Sequence, residues 1–190
     1  MIGKNTSLTL YERSVVKIRV HTSLKLSIVL IYGCILPRWC YMIISFFGHS
    51  RFYDADLSAE FVVEQIKEVA GEADVQFFLG DYGGFDAFAY QCAIEYKKMR
   101  PLTKLCFVSP YLDEEYLRRR YATERFDEVI YPDIEATPKR YAITARNRWM
   151  VENSDFIFFY VNIRFGGAYS ALQYARRKNV KHHNFYNLQN

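Results

Sequence analysis

The stretch GDYGGFD, residues 80–86, sets Gly80, Gly83 and Gly84 beside Asp81 and Asp86, between the apolar run VQFFL and the helix-like AFAYQCAIEYKK. Glycine lets the backbone take positive φ and removes the Cβ that would hold a ligand away from the chain. Two other stretches repeat the device: FGHS at 47–50, with Gly48, His49 and Ser50, and RFGGAYS at 164–170, with Gly166, Gly167 and Ser170. A helix that opens straight after such a loop presents free N–H groups and a partial positive charge, which together seat a phosphate. His49 could touch a phosphate or a base, and Asp81 and Asp86 could bond ribose hydroxyls or act as acids. Each feature also has a plainer reading: a tight turn, a loop histidine bonding its neighbour, or Asp86 capping the helix that follows. None of the loops is a G-x-G-x-x-G fingerprint or a Walker loop, which argues against a dehydrogenase and a P-loop NTPase.

The elements that must position these loops follow from the hydrophobic pattern. MIISFF from Met42 reads as a buried strand, and LSAEFVVEQIKEVAGE as a helix with Leu57, Phe61, Val62, Ile66 and Val69 on one face. Ser58 or Asp56 caps its start and Gly71 ends it. DVQFFL, TKLCFVS and DFIFFYVN read as further strands, EVIYP as a short one, and VKHHNFYNL begins as an edge strand. Helices are expected over FDAFAYQCAIEYKKM, LDEEYLRRRYATERF, residues 139–153 and AYSALQYARRK. Apolar strands alternating with helices predict an α/β fold, Rossmann-like and doubly wound, its mainly parallel sheet covered by helices on both faces. In such a sheet every strand that leads into a helix ends on one edge, so the three glycine loops converge there and ligands bind in that crevice.

Composition bounds the answer further. The 190 residues suit one globular domain, with 51% hydrophobic residues, 16 Tyr and 15 Phe. The formal charge of +4 is unevenly spread: residues 1–41 carry 6 basic and 1 acidic side chain, 42–99 carry 4 and 10, and 100–190 carry 15 and 10. Beyond residue 41 the balance is therefore close to neutral, so no duplex-DNA partner is expected. Cys34, Cys40, Cys92 and Cys106 show no metal-ligand spacing, and His182 and His183 have no partner for one, so no metal and no cofactor is expected. Buried free thiols fit a reducing cytoplasm. Residues 1–41 read as an N-terminal extension outside the fold, with the domain spanning 42–190. The apolar run 26–36 is too short for a normal membrane span, and membrane contact is expected only if it acts as an anchor.

The stretches ISFFGHSRF, FLGDYGGFDAFAYQCAIEYKK, VIYP, RYAITARNRWMVENSDFIFFYVN and FGGAYSALQYARRK, in that order and spacing, resemble the SLOG superfamily, most closely its small uncharacterised bacterial and prophage-type members. The resemblance runs from Met42 to about Tyr186. It implies a Rossmann-like fold that binds nucleotides or nucleotide-derived ligands, often as a sensor. The superfamily also holds the Lonely Guy phosphoribohydrolases and the DNA-processing protein that loads recombinase onto single strands. Against the Lonely Guy pattern of an Arg-Lys pair followed by P-G-G-x-G-T-x-x-E, Arg146 matches the Arg and Asn147 replaces the Lys. Gly166 and Gly167 match the paired glycines, while Phe165, Tyr169, Ser170 and Gln173 replace Pro, Gly, Thr and Glu. Arg146 could hold a phosphate through its fork of donors. Gln173 cannot ionise to support an oxocarbenium-like state.

The functional expectation is therefore a nucleotide-derived small molecule bound by the three loops together with Arg146, Asn147, Ser170 and Gln173, in a sensor or regulatory protein. One alternative is a nucleotide-processing N-glycosidase in which Asp81 or Asp86 replaces the missing glutamate; it requires one of them to face the crevice with a raised pKa. Another is single-stranded nucleic-acid binding, which requires a basic groove with exposed aromatics, with Arg118–Arg125 and Tyr121 as candidates. A homodimer is compatible with the sequence but not required by it.

Overall fold

The computed structural model describes residues 41–52, 57–120 and 122–186, and the backbone of 18–21. Seven strands form one sheet: β1 (Ile18–His21), β2 (Met42–Gly48), β3 (Val75–Leu79), β4 (Lys104–Val108), β5 (Glu128–Pro132), β6 (Phe156–Tyr160) and β7 (His182–Asn184). Their spatial order is β1-β5-β4-β3-β2-β6-β7, and every pairing is parallel. The helices are α1 (Ala59–Ala70), α2 (Gly84–Met99), α3 (Glu114–Arg119), α4 (Ala122–Arg125), α5 (Ala142–Glu152) and α6 (Gly166–Arg177).

Alternate strand residues feed two cores. Ile44, Phe46, Phe77, Leu79, Phe107 and Phe158 pack with α1 and α2. Phe47, Phe78, Cys106, Val108, Ile157 and Phe159 pack with α5 and α6 on the opposite face. Burial on both faces is why the strands read as continuous apolar runs. The chain winds from β2 outward to β5, then crosses back to place β6 on the other side of β2. That makes β2 and β6 the pair at which the winding reverses, the place where open α/β sheets bind ligands.

Local chemistry agrees with the expected caps. Ser58 accepts the Phe61 N–H at the start of α1, and Gly71 ends that helix at φ 54°. Three expectations need correction. The single helix expected over LDEEYLRRRYATERF is two short ones, α3 and α4. Phe61 is half exposed and Val63 is buried in its place, because α1 turns its face around Val62, Val63 and Ile66. The helix expected over 139–153 begins as a 3-10 turn, Lys139–Tyr141, before α5 proper, and Tyr141 is exposed. Cys92 and Cys106 are buried free thiols, pushed up to about 12 by burial. Cys34, Cys40, Tyr121, the apolar run 26–36 and, strand β1 and Tyr41 apart, the expected extension over 1–41 lie outside the described residues. Among the described residues no helix is long and apolar enough to cross a membrane, and no cluster could hold a metal ion.

Candidate functional site

The first two glycine loops are bare because other parts of the same chain press against them. A Cβ on Gly48 would lie 2.2 Å from the Phe85 ring, which is buried beside Phe52 and Tyr160. One on Gly83 would lie 2.4 Å from Ser50 Cα, and one on Gly84 3.0 Å from Ser50 O. The Gly84 N–H donates to that oxygen at 2.7 Å. The loops after β2 and β3 are thus laced together by backbone, a distance that only glycine permits. Gly83 also sits at φ 111°, a region costly for any side chain.

Under Gly80 an inward-turned carboxylate and a buried guanidinium face each other without a direct ion pair. A Cβ there would be 2.4 Å from Asp86 Oδ2 and 3.0 Å from an Arg146 Nη1. The Asp86 carboxylate accepts the Tyr82 N–H at 2.8 Å, so Asp86 sits in the first turn of α2, behind its N-cap Gly83, and bonds back to the residue before that cap. Arg146 is only 5% exposed. Its Nη1 donates to Val108 O at 3.3 Å and lies 3.7 Å from Met150 Sδ, while its Nε has no partner. Burial raises the Asp86 pKa to about 6, partly offset by Arg146 and the Tyr82 N–H. The residue as a whole is half-buried, but its carboxylate is turned inward against buried Gly80.

A carboxyl raised in the folded state contributes stability that is complete below its unfolded value, 3.8, and lost as pH rises through about 6. The wild type is therefore expected to lose up to about 3 kcal/mol between about pH 4 and 7 relative to Asp86→Asn. Urea unfolding of both proteins across that range measures it, and parallel pH curves would refute the assignment.

The other polar candidates are also engaged. Asp81 pairs with Arg125 at 3.2 Å and Arg120 at 3.7 Å, and Arg120 Nη1 donates to the Asp81 carbonyl at 2.9 Å. His49 Nε2 accepts the Ile163 N–H at 3.3 Å, tying the loop after β2 to the loop after β6. Burial lowers the His49 pKa, so the ring is neutral and bridges loops rather than presenting a cation. Ser170 Oγ donates back to Gly166 O at 2.9 Å.

The third exit differs. Gly166 needs its φ of 89°, but a Cβ on it would meet nothing within 4 Å, and one on Gly167 would meet only Asn147 Nδ2, at 3.9 Å. Of the described glycines, Gly167 alone has neither a positive φ nor a close neighbour. It lies in the first turn of α6, whose N-cap, Phe165, makes no side-chain bond. Phe165 is 71% exposed and Ile163 41%, and Arg164 is exposed beside them. Gln173 lies two turns further along α6, half-buried. The structure therefore groups Gly166, Gly167, Asn147 and the α6 N-terminus at open space, and leaves Arg146 behind Gly80.

Of the aromatic and cationic groups at the same edge, the sequence pointed to the Arg118–Arg125 run but not to Tyr82, Tyr111, Tyr116 or Lys139. The Arg120 guanidinium stands over the Tyr82 ring at 5.8 Å and the Tyr116 ring at 5.5 Å. Tyr116 meets Tyr111 edge-on at 5.1 Å, and Lys139 Nζ stands 5.6 Å from the Tyr111 ring. Tyr82 itself is 58% exposed.

No protein-family model matches the chain, and no curated protein does. Among solved structures it is similar to DNA processing protein A from Helicobacter pylori, described for its single-stranded DNA binding mode, at 18% identity and a TM-score of 0.51. It is also similar to DNA processing protein A from Streptococcus pneumoniae, at 14% identity and a TM-score of 0.54. The likeness is one of fold. The matches cover 74% and 76% of this chain but only 63% and 50% of those proteins, so the chain spans half to just under two thirds of their length. The doubly wound, mainly parallel sheet expected from the sequence is the architecture they share, and here every pairing is parallel.

Proposed function

We propose that this chain binds a nucleotide unit at the carboxyl edge of its sheet, with the phosphate at the α6 N-terminus, and acts as a cytoplasmic sensor or regulatory protein. The observation that carries this reading is Gly167, bare with no internal reason to be so, at a helix start whose first N–H groups lack a side-chain cap. Asn147 stands beside it as a donor, and Arg164 adds a nearby cation. The SLOG resemblance supports it, since Gly166 and Gly167 match the paired glycines of the Lonely Guy loop. Binding is favoured over glycosidic hydrolysis. Asp81 is held by two arginines, and Asp86 has the raised pKa an acid needs but turns its oxygen against Gly80 and the Tyr82 N–H.

A second reading, single-stranded nucleic acid, is favoured by the row of Tyr82, Arg120, Tyr116 and Tyr111, since rings interleaved with cations suit stacked bases and their phosphates. The fold it shares with the Helicobacter pylori protein supports this reading too.

The test is thermal unfolding against AMP, ADP-ribose, NAD and cyclic dinucleotides, with Gly167→Val beside the wild type. A ligand at 100 times its dissociation constant adds about 2.7 kcal/mol. Valine at Gly167 enters open space, so the fold is retained and the ligand-induced shift is expected to vanish. A shift that persists in the variant would overturn the α6 seat. Oligonucleotide binding that survives Gly167→Val but is lost in Tyr82→Ala would favour the second reading.

A further inference from the structure

Beyond the α6 seat, a cleft of about 860 Å³ opens between the chain after β4 and the chain after β5, lined by Tyr111, Leu112, Tyr116, Tyr131, Ile134 and Lys139 among others. Its volume falls in the range of small-ligand sites. The loop that carries Tyr111 is held firm: Ser109 Oγ donates to Tyr111 O at 2.6 Å and accepts its N–H at 3.3 Å. Asp113 caps α3 by accepting the Tyr116 N–H at 2.7 Å. The charges at the cleft divide into committed and uncommitted ones. Arg119 is paired with Glu115, and the Asp113 carboxylate is occupied at the cap. Lys139 and Glu135 make no ion pair among the described residues, and both line the cleft. The ammonium of Lys139 already stands over the Tyr111 ring.

We infer that this cleft is a second base-binding subsite: Tyr111 is the stacking platform, Lys139 takes the adjoining phosphate, and Glu135 accepts from an exocyclic amine of the base. Aromatic and aliphatic side chains mixed with polar ones, and one cation and one carboxylate without an ion pair among the described residues, suit an amino-bearing nucleobase on a phosphate better than a fatty or purely anionic ligand. The inference rests on the nucleotide reading of the α6 seat. Three strand spacings, about 14 Å, separate β6 from β4. The rings and guanidinium of Tyr82, Arg120 and Tyr116 continue the path from β3 to the cleft. A ligand filling both places carries two bases joined through phosphates, either as a dinucleotide or within a strand.

Fluorescence anisotropy of the full chain with a fluorescein-labelled oligodeoxyadenylate of a dozen units, and competition against it by dAMP and NAD, tests this. Tyr111→Ala and the exposed Lys139→Gln are each expected to weaken the oligonucleotide about 10-fold and to leave dAMP unchanged. Lys139→Gln should also lower the salt slope of oligonucleotide binding by about one. A loss shared by NAD assigns the cleft to dinucleotides, and a loss confined to the oligonucleotide assigns it to a strand. If Gly167→Val weakens every ligand while both cleft variants weaken none, the second subsite is refuted and the α6 seat stands. If Gly167→Val changes nothing, the α6 seat itself is refuted. Cleft variants that weaken dAMP as much as the oligonucleotide would make the cleft the primary seat and overturn the two-subsite inference.

Discussion

Replacing Arg146 with methionine is expected to lower folding stability by about 3 kcal/mol at pH 8, the low end of the range for leaving a buried charge without its partner, and by distinctly less at pH 5. Arg146 is buried to 5% exposure, and its positive charge does more than any other group to oppose the burial penalty on Asp86. At pH 8 the Asp86 carboxylate is ionised, and removing the guanidinium leaves that charge with little beyond the Tyr82 N–H. At pH 5 the carboxyl, with its pKa near 6, is largely protonated and the missing cation matters little. Methionine fills much of the vacated space, which keeps the packing loss small. Adding Asp86→Asn should restore most of the loss at pH 8, because no buried anion then remains. Urea unfolding of the four proteins at both pH values closes the cycle. An equal loss at both pH values, unrelieved by Asp86→Asn, would mean that Arg146 acts through packing alone. The same burial makes Arg146 a poor probe of ligand binding, since its loss acts on the fold first.

The parallel sheet, its two covering layers and the edge where the loops gather were legible because both signals are local. Apolar runs of five to seven residues mark strands buried on both faces, and Ser58 and Gly71 mark the ends of α1 by their own chemistry. The meaning of each glycine was not legible, because a missing Cβ records that something comes close without recording what. At Gly48 it is Phe85, 37 positions on; at Gly83 it is Ser50; at Gly80 it is a carboxylate and a guanidinium from two different helices. Among the described glycines, Gly167 alone is left for an outside partner. The Arg118–Arg125 run was visible as a cluster of cations, but not which of them turns inward. α3 ends at Arg119, and the turn there swings Arg120 to Asp81 and the Tyr82 and Tyr116 rings. A six-residue helix is too short for its periodicity to reveal that turn, so the aromatic and cationic row at the edge emerged only from the fold.

Gly83→Ala and Gly167→Ala should separate the two kinds of glycine in one experiment. At Gly83 the new methyl would be placed 2.4 Å from Ser50 Cα, on a backbone at φ 111°. The positive φ alone costs about 1–3 kcal/mol, and the contact is with backbone, which cannot rotate away as a side-chain tip would. Relief requires the loops after β2 and β3 to part, loosening the 2.7 Å bond from Gly84 N–H to Ser50 O. A total loss of about 3 kcal/mol is expected, roughly 6–12 °C in Tm for a domain of this size. At Gly167 the methyl would meet only Asn147 Nδ2 at 3.9 Å, an ordinary contact, inside a helix. Alanine there is expected to leave Tm unchanged or to raise it slightly, by up to about 1 kcal/mol of helix propensity. Scanning calorimetry of the two variants beside the wild type decides the matter. If Gly167→Ala falls as far as Gly83→Ala, then Gly167 too is bare for the sake of the fold. In that case the chain's own packing accounts for all three loops, and the α6 seat loses the observation on which it stands.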